Sequence, residues 1–344
     1  MLNSSGTVQT DNSNTPIFQP MGFGEILDTI FSLYRRHFLL FLGIVAIHFS
    51  GDLVEYVLWR VLPGFFLKFY IINLVGLSFS LVNMGGIIVA AATIYLGEQI
   101  TILDALKQAL HRVWHICVCQ LLWSLALEIP RVGVIYFLIF AMEPDLSSIS
   151  IPYVFIFGLA AIPFLSYLAM PWTSIITRLI TSMIRPGWMW TRFILSILAP
   201  FLIYFAVRWT FVTTSVLLEK SSIRRAFGKS WELTRGKWWH VWGTLISFGV
   251  ISFAIQRILQ ITVGFILILL KVEGATADMD TIRGMVLYAA VDTDTLFYTI
   301  TRWSNQIVNA LVFPIWVIGI TLLYLDVQIR KEDSGIQPLA TMPV

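Results

Sequence analysis

The chain has 344 residues, 57% of them hydrophobic and only 12% charged, and a mean hydropathy of +0.80. That composition excludes a soluble globular domain and describes a polytopic membrane protein whose main partner is lipid. The formal net charge is +3, and no nucleic-acid partner is expected.

Residues 1–20 are polar, carry no charge except Asp11, and have neither the basic start nor the apolar core of a signal peptide. They read as a disordered cytoplasmic tail, 21–332 as a single integral membrane domain, and 333–344 as a second cytoplasmic tail. An amphipathic pattern opens the membrane domain. Ile26, Leu27, Ile30, Leu33 and Tyr34 recur at helical spacing on one face, with Glu25, Asp28, Thr29, Ser32, Arg35 and Arg36 on the other. The pattern predicts a helix in the membrane interface, held by apolar burial and by attraction of its bases to anionic lipid. The plainer expectation is a collar that packs against the bundle and sets helix tilt.

This stretch runs directly into an apolar segment, 38–59, and a second follows at 71–96. Each is long enough to cross about 30 Å of hydrocarbon, and each must be helical because no water is there to satisfy its backbone. The pattern then restarts: Ile102, Leu103, Leu106, Ala109, Leu110 and Val113 oppose Asp104, Lys107, Gln108, His111 and Arg112. At an offset of 76 residues, Ile26, Leu27, Asp28, Arg36 and Phe38 meet Ile102, Leu103, Asp104, Arg112 and Trp114. A looser third copy lies 200 residues on, where Phe31, Leu33, Arg35 and Phe38 meet Trp231, Leu233, Arg235 and Trp238, and Asp28 falls on Gly228. Three repeat units are therefore expected, 24–96, 101–218 and 222–330, each an amphipathic helix followed by a helical hairpin.

The segment 114–142 contains Glu128, Pro130 and Arg131, so it is read as one crossing that is kinked or broken there. Glu128 and Arg131 are spaced to pair along one helix. Cys117 and Cys119 stand two apart, which does not suit a disulfide. The interval from Trp114 to Trp238 exceeds that from Phe38 to Trp114 by 48 residues, about two membrane passes. An insert near 151–199 therefore adds two spans or a re-entrant hairpin, and 201–218 is the return helix matching 71–96. Arg178, Arg185 and Arg192 beside Pro186 and Gly187 read as a cytoplasmic turn. Further spans are expected at 238–256, with apolar helix continuing towards 270, and at 307–328. The fold class is an all-α transmembrane bundle of eight spans, or six plus a re-entrant hairpin.

Charge sets the orientation. Residues 219–237 carry a net +4, and Arg35, Arg36, Arg330 and Lys331 add to the same side, whereas 271–302 carries a net −2. The basic side is expected to be cytoplasmic, which places both termini inside and makes the number of crossings even. The candidate lipid or partner surface is accordingly Arg35, Arg36, Lys107, Arg112, Arg224, Arg225, Lys229, Arg235 and Lys237.

Arg208 lies within an apolar run and needs a partner, for which Glu98, Glu128, Glu219 and Asp326 are candidates. With Arg131 these form the candidate intramembrane polar site, read either as an ion pair locking two repeats or as a solute or headgroup site. The five histidines, His37, His48, His111, His115 and His240, stand singly, and no HExxH pair, nucleophile elbow or phosphate-cradling glycine loop occurs. No catalytic residue, metal or cofactor is expected.

The segments GEILDTIFSLYRRHFLLFLG (24–43), YFAVRWTFVTTSVLLE (204–219), SSIRRAFGKSWELTRGKWWHVWG (221–243) and VFPIWVIGITLLYLDVQIRKE (312–332) carry a resemblance. They resemble the family named for the membrane domain of bacterial glycerophosphoryl diester phosphodiesterases. The resemblance implies a multi-pass domain of the bacterial cytoplasmic (inner) membrane, most often without an attached enzyme or an assigned activity. The 48-residue insert and the loop near Asp278 depart from the family pattern. Three functional readings follow: a non-catalytic module organising anionic lipid or a membrane protein partner; alternatively a transporter or channel for a small or amphipathic solute; and, third, a membrane-embedded lipid-modifying enzyme. Arg208 discriminates the first two, since a scaffold would seal it against a carboxylate and a transporter would line a polar cavity with it.

Overall fold

The computed structural model describes residues 20–62, 65–120, 122, 203–273 and 295–332. Within them the chain is helical, with no strand. The helices are α1 (Phe23–Arg36), α2 (Phe38–Val61), α3 (Phe65–Tyr95), α4 (Ile102–His111), α5 (Val212–Leu218), α6 (Ile223–Thr234), α7 (Trp238–Leu269) and α8 (Leu296–Glu332). A further helical stretch at 113–120 follows α4, and another at 203–208 precedes α5.

Four helices are long and apolar enough to cross a membrane: Phe38–Glu55 in α2, Val75–Tyr95 in α3, Trp238–Leu269 in α7 and Thr299–Lys331 in α8. By length and composition this is a membrane protein. The expectations that fall on the crossing through Glu128, Pro130 and Arg131 and on the 151–199 insert lie outside the described residues. α7 does not stop near Gln256 but continues unbroken to Leu269. At about 1.5 Å per residue its 32 residues reach about 48 Å, well beyond the hydrocarbon thickness.

The short amphipathic helices each end in a sharp bend where the next helix begins. His37 (φ −114°, ψ 29°) separates α1 from α2, and Lys237 (φ −121°, ψ 17°) precedes α7. Arg112 (φ −107°, ψ 3°) closes α4 ahead of 113–120. The bend between α6 and α7 also uses Gly236 at φ +79°, a left-handed conformation that side chains with a Cβ rarely adopt. α3 ends similarly at Gly97 (φ +87°), where Glu98 N–H donates to the Thr93 carbonyl and Gly97 N–H to the Ile94 carbonyl. These two bonds satisfy carbonyls that the last turn would otherwise orphan.

Each amphipathic helix is buried along one stripe. Ile26, Ile30 and Leu33 of α1, Ala105, Leu106 and Ala109 of α4, and Ala226, Ser230, Leu233 and Thr234 of α6 face inward. The apolar face expected of 102–113 is therefore narrower than its spacing implies. Leu103 and Leu110 are exposed beside Lys107, because small Ala105 and Ala109 let α4 sink onto α3 by the adjoining stripe. The approach is close: a Cβ on Gly85 would lie 2.9 Å from the Ala109 Cβ, and one on Gly86 3.2 Å from Leu106. Gly319 of α8 does the same for α1 and α7, being flanked by Phe248 and Ile30.

α7 and α8 run antiparallel. Phe248 meets Gly319 and Trp316 approaches Gly249 at one end, while Leu267 packs with Phe297 and the Phe297 N–H donates to the Glu273 carbonyl at the other. One continuous apolar cluster joins α1 through α8 around Phe41, Ile44, Phe211, Leu245 and Tyr324. The N-terminal end of α1 and the C-terminal end of α8 close on each other there: Met21 N–H donates to Asp326 Oδ1 (2.8 Å), and an Arg330 terminal nitrogen donates to the Met21 carbonyl (2.5 Å). Lys331 reaches the Glu232 carbonyl at the same end, which places α1, α6 and the end of α8 together.

Candidate functional site

Arg208 occupies the last residue of the 203–208 helix, immediately before a break. The expectation of a single return helix over 201–218 is corrected by that break at Trp209–Phe211. Its physical cause is one side chain from α6. The Ser230 hydroxyl accepts the Phe211 N–H (3.2 Å) and donates to the Arg208 carbonyl (2.8 Å), two backbone groups that an uninterrupted helix would pair internally. Thr210 and Val212 bond instead to carbonyls three residues back. In the aligned copies position 230 corresponds to Ile30 and Leu106, so only the third copy carries a hydroxyl able to do this.

The break turns the Arg208 side chain along α6. One terminal nitrogen donates to the Trp231 carbonyl (3.2 Å) and to Thr234 Oγ1 (3.3 Å), and the other to Tyr204 Oη (3.0 Å). The guanidinium lies over two aromatic faces, 4.7 Å from the Trp231 centroid and 5.1 Å from that of Tyr204. Trp238 stacks on the other neighbour, Tyr204, at 6.1 Å and 25°. Two buried donors in this group have no acceptor among the described residues: Arg208 Nε and Trp238 Nε1.

None of the described carboxylates expected beside Arg208 meets it. Glu219 instead accepts from Lys229 and from the Tyr324 hydroxyl. Asp326, with no solvent exposure, is held by Arg330 Nε (2.8 Å) and Met21 N–H and lies 3.6 Å from His240 Nε2. Glu98 is exposed just beyond α3, and Glu128 and Arg131 lie outside the described residues. The four described members of the expected polar site, Arg208, Glu98, Glu219 and Asp326, therefore do not form one cluster. Arg208 is half-buried, so its desolvation is partial, and cation–π contacts of about 0.5–2 kcal/mol each offset part of it. The Arg208 environment is thus a partly compensated positive site built from neutral oxygens and rings.

The basic residues of the expected surface behave differently from one another. Arg35, Arg36, Lys107, Arg224, Arg225 and Arg235 are exposed, Arg112 and Lys237 are half-buried at the bends, and Lys229 is taken up by Glu219. Beside them stand apolar side chains open to the surroundings, Leu39 and Trp239 each at 78% exposure and Trp114 at 71%. Tryptophan next to lysine and arginine at a span end is the composition of a headgroup layer.

Sequence reasoning missed Arg257 and Gln260. Both are buried on α7, and Arg257 lies 5.3 Å from the Phe253 ring. The signal was QRILQ (256–260) inside an otherwise apolar run, and the sequence of α8 also carries Asn305, Gln306 and Asn309. No group of three or more histidine, cysteine, aspartate or glutamate side chains placed to hold a metal occurs among the described residues. Compared with known families, curated proteins and solved structures, the chain matches none.

Proposed function

We propose that this protein is a non-catalytic membrane module that gathers anionic lipid, or docks a partner protein, through the basic faces of α1, α4 and α6. The observation that carries the reading is the division of each helix: one stripe is consumed by packing on the bundle, and the opposite face keeps exposed bases beside exposed Leu103, Leu110, Trp114, Leu39 and Trp239. Such a face pairs apolar insertion with attraction to anionic headgroups. The corresponding buried positions 30, 106 and 230, and 33, 109 and 233, support a threefold repeat of one unit. We place the protein in the bacterial cytoplasmic membrane with the basic ends and both termini cytoplasmic, with eight spans or six plus a re-entrant hairpin, as a member of the phosphodiesterase membrane-domain family it resembles. We read it as having no enzymatic activity and no cofactor.

Transport of a small or amphipathic solute is the second reading, favoured by one observation: among the described residues Arg208 is bordered by neutral groups and meets no carboxylate. The test is retention of lipid and protein on purification in native membrane discs. Neutralising Arg224, Arg225 and Arg235 together is expected to reduce retained anionic lipid, or release a specific protein, with the remaining attraction weakening as salt rises. Unchanged lipid and protein content in that variant would remove the module reading; solute flux into proteoliposomes that depends on Arg208 would replace it.

A further inference from the structure

We infer that Arg208 and Trp238 form a binding site for the phosphate of an anionic amphiphile, the group whose lipid form supplies the headgroups of the module reading, on which this inference rests. Three observations converge. The guanidinium is a permanent cation whose hydrogen-bond partners, Trp231 O, Thr234 Oγ1 and Tyr204 Oη, are all neutral, so its charge is not cancelled by a described carboxylate. Its Nε–H is buried and unpaired. A second unpaired buried N–H, that of Trp238, belongs to a ring stacked on Tyr204, the same ring that the guanidinium covers.

Two orphan donors and one positive charge around a single tyrosine call for a ligand with several acceptor oxygens and negative charge. A phosphate provides both. The faces of Trp231 and Tyr204 that Arg208 covers already hold a cation, which disfavours a quaternary ammonium beside it. The surroundings argue for a ligand with acyl chains: Trp239 packs edge-on against Trp238 at 4.8 Å and is largely exposed, and Arg235 is exposed at the turn between them and α6. An aromatic surface at a span end takes chains and glycerol, while the donors behind it take the phosphate. The kink at Phe211 belongs to the same construction, because the Ser230 bridge that breaks the helix also fixes the Arg208 backbone.

The test measures binding to the full chain in detergent by native mass spectrometry, with short-chain phosphatidylglycerol, short-chain phosphatidylcholine, glycerol phosphate and inorganic phosphate as probes. Phosphatidylglycerol is expected to bind more tightly than phosphatidylcholine. Trp238→Phe, which keeps the ring and removes the N–H, is expected to weaken phosphatidylglycerol about tenfold, the low end for one hydrogen bond to a charged group, and Arg208→Gln by more, because it removes the charge together with its one free donor. Arg208→Lys restores charge without the planar fork and should fall between Arg208→Gln and the unaltered chain. Thermal unfolding of each variant separates lost binding from lost fold, and Trp238→Phe serves if Arg208→Gln does not fold. Equal phosphatidylglycerol binding by folded Trp238→Phe and the unaltered chain would overturn the inference. Binding of free phosphate as tight as that of lipid would assign the site to a soluble anion and overturn the amphiphile. If the collar variant loses lipid while both site variants keep it, the module reading stands and this site does not; if no variant loses lipid, both fall.

Discussion

Asp326 is a carboxylate with no solvent exposure inside a chain that lipid surrounds, and its environment explains how such a group persists. It accepts from Arg330 Nε and from the Met21 N–H, both at 2.8 Å, with His240 3.6 Å away. Met21, just ahead of α1, is thus pinned to the C-terminal end of α8. Asp326→Asn keeps the shape and one acceptor but removes the charge facing Arg330. Because Arg330 is 29% exposed, the expected loss is about 2–3 kcal/mol, below the full cost of breaking a buried pair. A lower unfolding temperature in detergent, accompanied by faster proteolysis of the α1 end, is the expected result; an unchanged temperature would show that the closure contributes nothing. Tyr34 makes a related tie, donating to the Leu311 carbonyl at 2.9 Å, and burial raises its pKa, so the donor stays protonated above the ordinary tyrosine range.

At the scale of the element, the amphipathic helices are the informative parts. α4 has a side-chain cap, Thr101 Oγ1 accepting the Asp104 N–H at 3.2 Å, and Asp104 in its first turn suits the helix dipole. Its position, however, depends on glycine in another helix. A side chain at Gly85 would meet the rigid Ala109 Cβ, so neither partner has a flexible end to yield. Gly85→Leu is expected to cost at least about 2 kcal/mol through overpacking and to lift α4 away from α3. Hydrogen exchange at 105–111 should then accelerate while that of α7 stays as before. Protection of α4 unchanged by the substitution would show that its seat is not fixed by this contact. The amphipathic periods of α1 and α4 were legible in sequence, but which part of each apolar arc turns inward was not. Leu103 and Ala105 are both compatible with the period; only the glycine pair on α3 selects the alanine stripe.

At the scale of the molecule, the bases of α1 and α6 collect at one end because those helices and the end of α8 meet there, and α4 lies against α3 and the first turns of α2, which start from α1. Single cysteines at Arg36, Lys107 and Arg225, in a chain whose Cys117 and Cys119 are replaced, should therefore label from one and the same side of the membrane with an impermeant reagent. Labelling of any one from the other side would break the arrangement. The long α7–α8 hairpin extends from that end to a small separate apolar cluster around Leu267 and Phe297. Its helices exceed the hydrocarbon thickness, so it tilts or projects beyond the far face.

Apolar length was enough, by itself, to mark a helical membrane protein with long apolar helices over 38–59, 71–96, 238–256 and 307–328, because hydrophobic thickness and helical period act on each segment separately. The starts of α1, α4 and α6 were likewise readable, since an amphipathic arc is a local property. What only the tertiary structure decided concerns partners distant in sequence. Arg208 was visible as a cost, but its four candidate carboxylates could not be ranked from spacing; two of them are committed to Lys229 and Arg330, and α6 offers aromatic faces and neutral oxygens instead. The break beside it is equally non-local, because it exists where Ser230 can satisfy the two backbone groups that the helix releases.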